Sequence, residues 1–177
     1  MNRNALIIDD EKPLAELIEA YIPTEWDTTL VHDVESAIKE LSPEYDLYFI
    51  DRRLSGGDGR EILQELDNRG YNCCKFVVSA IEPDLDLLEL SFTDYIVKPV
   101  EMDDIREMVS RCEQLLAAGE PTRQYYECRA KQALLAGSVP VTTRESSSEY
   151  DELKEELQAC RAVDGVDVEL VNGYFDE

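Results

Sequence analysis

Five times between residues 5 and 118, a short apolar run ends on a polar residue and gives way to a segment with helical spacing. The apolar runs are Ala5–Ile8, Thr28–Val31, Tyr45–Ile50, Cys74–Val78 and Asp94–Val97. Between and after them come Leu14, Leu17, Ile18 and Tyr21, then Val34 to Leu41, then Ile62, Leu63 and Leu66. Pro83 to Leu90 reads as a short helix, and Met102, Ile105, Val109, Cys112 and Leu116 mark a long one ending at Gly119. Apolar strands alternating with amphipathic helices predict an α/β fold, a doubly wound five-stranded parallel sheet covered on both faces. Pro13 falls in the first turn of the first helix, where its missing N–H does no harm.

Four of these runs end at Asp9-Asp10, Asp51, Ser79 and Lys98. Open parallel sheets bind ligands outside the carboxyl ends of their strands, so all five are expected to meet in one pocket. Taken singly, each has an ordinary reading. Asp9-Asp10 serves as a helix N-cap, Ser79 as a solvated strand end and Lys98 as a surface lysine. Together they form a chemical set. Three close carboxylates repel, and a divalent, oxygen-preferring cation such as Mg²⁺ relieves the repulsion. A lysine adds positive charge, a serine hydroxyl donates to an anionic oxygen, and one carboxylate remains as nucleophile. These are the parts of phosphoryl transfer to aspartate, with Asp51 at the tip of the third strand as the acceptor.

The residues that carry this pattern resemble the receiver domain of two-component response regulators. They are Ile7-Ile8-Asp9-Asp10-Glu11, Phe49-Ile50-Asp51-Arg52-Arg53-Leu54 with Gly59, Val77-Val78-Ser79-Ala80 and Asp94-Tyr95-Ile96-Val97-Lys98-Pro99. The resemblance covers residues 4–118 and implies a flavodoxin-like, CheY-like sheet of order 2-1-3-4-5. It implies a phosphoprotein whose Asp51 takes a phosphoryl group from a sensor histidine kinase and which is no enzyme beyond its own phosphorylation and dephosphorylation. It further implies Mg²⁺ held by Asp10, Asp51 and the Arg53 backbone carbonyl, with Asp9 helping through water. Ser79 would bond the phosphoryl oxygen, Lys98 would pair with it, and Tyr95 would turn inward once Ser79 moves. The small Ala80 would leave the site open. This chain departs from the pattern in three places. Ser55 stands where receivers often carry proline. The interval from Ser79 to Lys98 is short by about one helical turn, which predicts a stunted fourth helix and weakens the case for the usual dimer through the fourth helix, fifth strand and fifth helix. Arg52-Arg53 is expected to place positive charge beside the phosphate.

Residues 120–177 form an appendage, giving a receiver over 1–119 and a helical segment with an acidic tail over 120–177. A helix is expected over 120–136 with Tyr126, Ala130, Ala133 and Leu134 on one face, followed by a flexible loop from Gly137 to Ser147. Ser148-Glu149-Tyr150-Asp151 has the form of a capping box. Tyr150, Leu153, Leu157 and Cys160 then make a narrow apolar seam, expected to pair with the first helix as a hairpin, a homodimer being the other solution. Val166 to Phe175 reads as a small β-hairpin or a loose tail. Tyr125-Tyr126, Lys131-Gln132-Ala133-Leu134-Leu135 and Ser148-Glu149-Tyr150 with Leu153 and Leu157 resemble the HalX domain of haloarchaeal regulators.

Composition narrows the function. The chain carries 40 acidic and 17 basic residues, a net −23. Both parts share the excess, so the surface repels phosphate backbones and anionic membranes and suits a high-salt cytoplasm, where screening is short-ranged. Direct nucleic-acid binding therefore has little support, although a DNA-binding regulator acting through residues 120–177 stays an alternative. No apolar run approaches the ~18 residues of a membrane span. The early acidic residues at Asp9 and Asp10 argue against a signal peptide and for a cytoplasmic protein. Five cysteines without CxxC spacing read as reduced thiols, and His32 reads as a loosely packed residue away from the pocket. Two other classes fit less well. An aspartate-nucleophile phosphatase resembles a pattern with two Asp separated by one residue, and here Asp9 and Asp10 are adjacent. A flavin binder would meet repulsion from Asp9-Asp10-Glu11 at its phosphate.

Overall fold

The computed structural model describes residues 3–175; Met1, Asn2, Asp176 and Glu177, the last two part of the expected acidic tail, lie outside the described residues. Strands β1 (Arg3–Ile8), β2 (Trp26–Val31), β3 (Leu47–Ile50), β4 (Cys74–Ser79) and β5 (Asp94–Val97) form one sheet. Every pairing is parallel, and the order is β2-β1-β3-β4-β5. Strands β3 and β4 are buried along their whole length, which is why their sequences are continuous apolar runs rather than alternations.

Helices cover both faces. On one side α1 (Lys12–Tyr21) and α4 (Met102–Ala118) pack on Ile7, Phe49 and Phe76 through Ala15, Ile18, Ile105, Val109 and Cys112. On the other, α2 (Val34–Glu40) and α3 (Gly59–Arg69) cover Leu6, Ile8, Tyr48 and Val77 through Val34, Ala37, Ile62 and Leu66. Local signals set the helix limits. Asp58 and Glu61 form a reciprocal capping box at the start of α3, and Gly70 ends it at φ 63°, a left-handed position that glycine adopts without a Cβ clash.

The expected helix over Pro83 to Leu90 is a 3₁₀ helix, Leu85–Glu89. The shortened segment has too few residues for a full α-helix, and a further helix takes over the cover. Helix α5 (Glu120–Ser138) lies against β5, the 3₁₀ helix and α4. It thus shields the free edge of the sheet that a short fourth helix would leave open.

The C-terminal part differs from expectation in three respects. Helix α5 is buried on several faces because α4, β5, α7 (Ser148–Arg161) and α8 (Val168–Asn172) all touch it; Tyr125, Cys128 and Leu135 are buried while Ala133 is exposed. Within the expected loop, α6 (Val141–Glu145) forms, and the Arg144 side chain fixes it by donating to the Val139 carbonyl at 3.0 Å. The segment 166–175 is neither hairpin nor loose tail. Helix α8 (Val168–Asn172) is capped by Asp167, buries Val171 completely, and brings Tyr174 and Phe175 onto the Tyr126 ring. Helix α7 (Ser148–Arg161) pairs with α5 as expected, through Cys128, Leu135, Val139, Tyr150 and Leu153. Its cap is Ser147, whose hydroxyl accepts from Tyr150 N–H, one residue before the expected box. All five cysteines are free thiols.

Candidate functional site

The parallel sheet delivers Asp9, Asp51, Ser79 and Lys98 to one rim, each at or just past the end of its strand. Asp9 and Asp51 are buried, and Asp10 is exposed. Lys98 Nζ donates to Asp51 Oδ2 at 2.7 Å and to Asp9 Oδ2 at 2.9 Å. Glu11, a participant not foreseen from the sequence, lies 3.5 Å from the same ammonium and donates its backbone N–H to Asp9 Oδ1 at 2.9 Å. Asp51 Oδ1 accepts from the Arg53 N–H at 3.1 Å.

Burial pushes the Asp9 carboxyl above the ordinary carboxylate range, against the pull of Lys98 and the Glu11 amide. Burial also opposes the charge on Lys98, but its bonds to Asp51 and Asp9 together outweigh that and leave the ammonium above its usual value. One ammonium thus serves three acids, with Asp10 alongside. A carboxylate oxygen from each of Asp9, Asp10 and Asp51 falls within 4.8 Å of the others. That all-oxygen, net-negative set fits a hard divalent cation.

Gly59 is built into this arrangement. Its N–H donates to the Arg52 carbonyl at 2.9 Å, and a Cβ there would sit 2.2 Å from the Asp51 carbonyl oxygen. The close approach pins the turn after Asp51 against α3. Ser79 is fully buried, and its Oγ accepts from Ile81 N–H at 3.2 Å, which leaves its own O–H free to donate. Tyr95 is turned into the interior beside Phe92, and its hydroxyl donates to the Ile81 carbonyl at 2.6 Å. The backbone of Ile81 therefore joins Ser79 to Tyr95, a link with no sequence signature. Exposed Ala80 leaves a groove of about 520 Å³ beside Lys98, lined by Leu14, Leu17, Pro99 and Val100.

Two expectations are corrected. His32 is not remote: its Nδ1 lies 2.8 Å from the Asp9 carbonyl, so that nitrogen carries the proton and braces the strand end from behind. Arg52 does not flank the pocket. Its side chain is buried and donates to Asp86 at 2.6 Å, leaving only the exposed Arg53 at the rim.

Solved structures share the five-stranded parallel fold. The receiver domain of AraT from Geobacillus stearothermophilus matches with a TM-score of 0.60 and 24% identity, covering 66% of this chain and 97% of that one. The receiver domain of the sensor histidine kinase PA1611 from Pseudomonas aeruginosa, with a magnesium ion coordinated in its active-site cleft, matches at 0.58 and 22%, covering 65% and 100%. These likenesses establish the fold.

The family follows from the sequence matches. The response regulator receiver domain matches residues 5–110, and the HalX domain matches residues 115–163. The chain belongs to the response regulator receiver family and carries a HalX domain after its receiver. A Haloferax volcanii protein, described provisionally as a transcriptional regulator, is 30% identical over 160 residues, 89% of this chain. The chain spans 27% of that relative's length. Among the described residues, no helix is long and apolar enough to cross a membrane.

Proposed function

We propose that Asp51 accepts a phosphoryl group from the histidine of a sensor kinase and that the change is read by the C-terminal helices. The observation that carries this is the shared Lys98 ammonium, 2.7 Å from Asp51 and 2.9 Å from Asp9, in a rim that keeps a surplus of carboxylates. In the transfer an Asp51 oxygen bonds to phosphorus as the phosphorus–nitrogen bond to the kinase imidazole breaks. Lys98, freed from one carboxylate, pairs with the phosphoryl oxygens, and the Ser79 O–H donates to another. Asp10, Asp51 and the Arg53 carbonyl would hold Mg²⁺, with Asp9 acting through water. The ion would supply charge neutralisation on the transferring group. Tyr95, tied to Ser79 through Ile81, is the residue positioned to feel that hydroxyl move.

In this reading the receiver ends at Gly119, where α4 stops and α5 begins, and the protein works in the cytoplasm on no substrate but its own aspartyl phosphate. Incubation with acetyl phosphate and Mg²⁺, followed by intact mass, tests it. The parent should gain one phosphoryl group and Asp51→Asn none; equal gain in both would reject Asp51 as acceptor.

Control of transcription is a second reading, favoured by the description of the Haloferax volcanii relative. The charge of residues 120–177, 13 acidic against 6 basic, favours action through protein contacts over direct DNA binding. A mobility-shift measurement at multimolar salt separates the two, since a retained DNA complex there would favour direct binding.

A further inference from the structure

Arg52 follows the acceptor aspartate, yet its side chain is only 4% exposed and reaches away from the pocket. Its Nη2 donates to Asp86 Oδ2 at 2.6 Å, while Nε and Nη1 are buried without a partner. Asp86 also holds the Arg60 guanidinium from α3, and its other oxygen is buried and unpaired. Two cations therefore share one half-buried carboxylate, and the Tyr95 phenol borders the Arg52 guanidinium. A buried guanidinium held by one carboxylate is costly to leave unpaired. Asp86 must accordingly follow Arg52, and it belongs to the 3₁₀ helix.

That helix has two faces. Asp86 looks back to residue 52. Leu85 and Leu88 pack into the cluster of Cys128, Leu135, Tyr150 and Leu153 that joins α5 to α7. The 3₁₀ helix is thus in contact with both the residue after Asp51 and the C-terminal helix pair.

We infer that Arg52 is a positioning residue that couples the state of Asp51 to α5 and α7 by holding Asp86 of the 3₁₀ helix. The inference rests on Asp51 being the acceptor. A phosphoryl group brings about two negative charges to the neighbouring residue. Arg52 has two buried guanidinium nitrogens without a partner and a contested carboxylate, so its hold on Asp86 is what the new charge biases. The 3₁₀ helix has few hydrogen bonds of its own to resist displacement, and a shift in it is transmitted by Leu85 and Leu88 to the helix pair.

The full chain tests this, with beryllium trifluoride and Mg²⁺ as a lasting phosphoryl mimic and amide hydrogen exchange as the readout. In the parent, loading should change exchange in residues 85–89 and 148–161 by about fivefold or more. Asp86→Asn should keep phosphoryl uptake from acetyl phosphate and lose the change in 148–161. Because Asp86→Asn strands a buried cation, Arg52→Leu with Asp86→Leu serves as the second variant; removing both charges of a buried pair is often neutral for folding. It too should take up the phosphoryl group and leave α7 unresponsive. A full α7 response in this double variant, or no α7 response in a phosphorylated parent, overturns the inference. A parent that takes up no phosphoryl group overturns the Asp51 reading itself, and the mass measurement tells that failure from the others.

Discussion

The strand-end rim and the junction between receiver and C-terminal helices both contain buried ion pairs, but only the rim carries a marked surplus of acids. At the rim a single Lys98 serves Asp9, Asp51 and Glu11, with Asp10 alongside. At the junction, cations and acids come close to balance. Arg111 meets Asp94 and Glu107, and Asp94 also accepts from the Tyr126 hydroxyl at 2.6 Å. Lys75 meets Asp67, Arg123 meets Asn72 and Glu127, and Arg52 and Arg60 share Asp86. A chain with only 17 basic residues thus places many of them where two halves must stay together, and leaves negative charge uncompensated at one buried rim. Balanced clusters hold structure. The unbalanced one invites a cation and a reaction.

The largest effect that would sharpen this contrast is expected from Asp94→Ala. It removes two charge-assisted hydrogen bonds, one from the Arg111 guanidinium, which keeps Glu107, and one from the Tyr126 hydroxyl, so chemical denaturation should show a loss of about 3–5 kcal/mol with Mg²⁺ affinity unchanged. Equal stability would mean the junction pairs are ornamental to folding. Next comes Gly59→Ala, whose Cβ has no room 2.2 Å from the Asp51 carbonyl. It should cost about 2–3 kcal/mol and also slow phosphoryl uptake, because relief of the clash moves the Asp51 backbone. An unaltered uptake rate would show that the turn after β3 does not set the acceptor's position. Asp10→Asn should do the reverse of Asp94→Ala. Calorimetry should find Mg²⁺ binding weakened by about tenfold or more while the thermal midpoint hardly moves, since Asp10 is exposed.

The smallest effect is a pH dependence at the junction. Burial raises the Glu127 carboxyl above its ordinary value of 4.5, against the attraction of Lys75 and Arg123. The folded state therefore holds that proton more tightly than the unfolded state. Stability contributed by this group is present below the ordinary carboxylate value and falls as pH climbs through Glu127's own higher one. Glu127→Gln should flatten that part of the profile of denaturation midpoint against pH; an identical slope would assign it to other groups.

Much of this molecule was readable before any coordinates. The five apolar runs correspond to the five strands, the polar residues at their ends lie on one rim, and the short interval before Lys98 foretold an incomplete fourth helix. Those features survive translation because strand burial and helix periodicity are written in neighbouring residues, and because a parallel sheet with helical crossovers puts every strand's carboxyl end on the same side. The Ile81 bridge, the Asp9–His32 contact and the burial of Arg52 were not readable. Their partners lie 14, 23 and 34 positions apart and no local period links them.

The sequence alone determined which residues are apolar at which spacing, and through that the sheet, its helices and the acid-rich rim. Only the tertiary structure decided that α5 would shield the β5 edge, that residues 166–175 would fold as a helix onto Tyr126, and that the arginine after Asp51 would turn inward to the 3₁₀ helix. The physical reason is that these outcomes are competitions for burial and for charge partners. Such competitions are settled by what happens to stand opposite a side chain in space, and one-dimensional order carries no record of it.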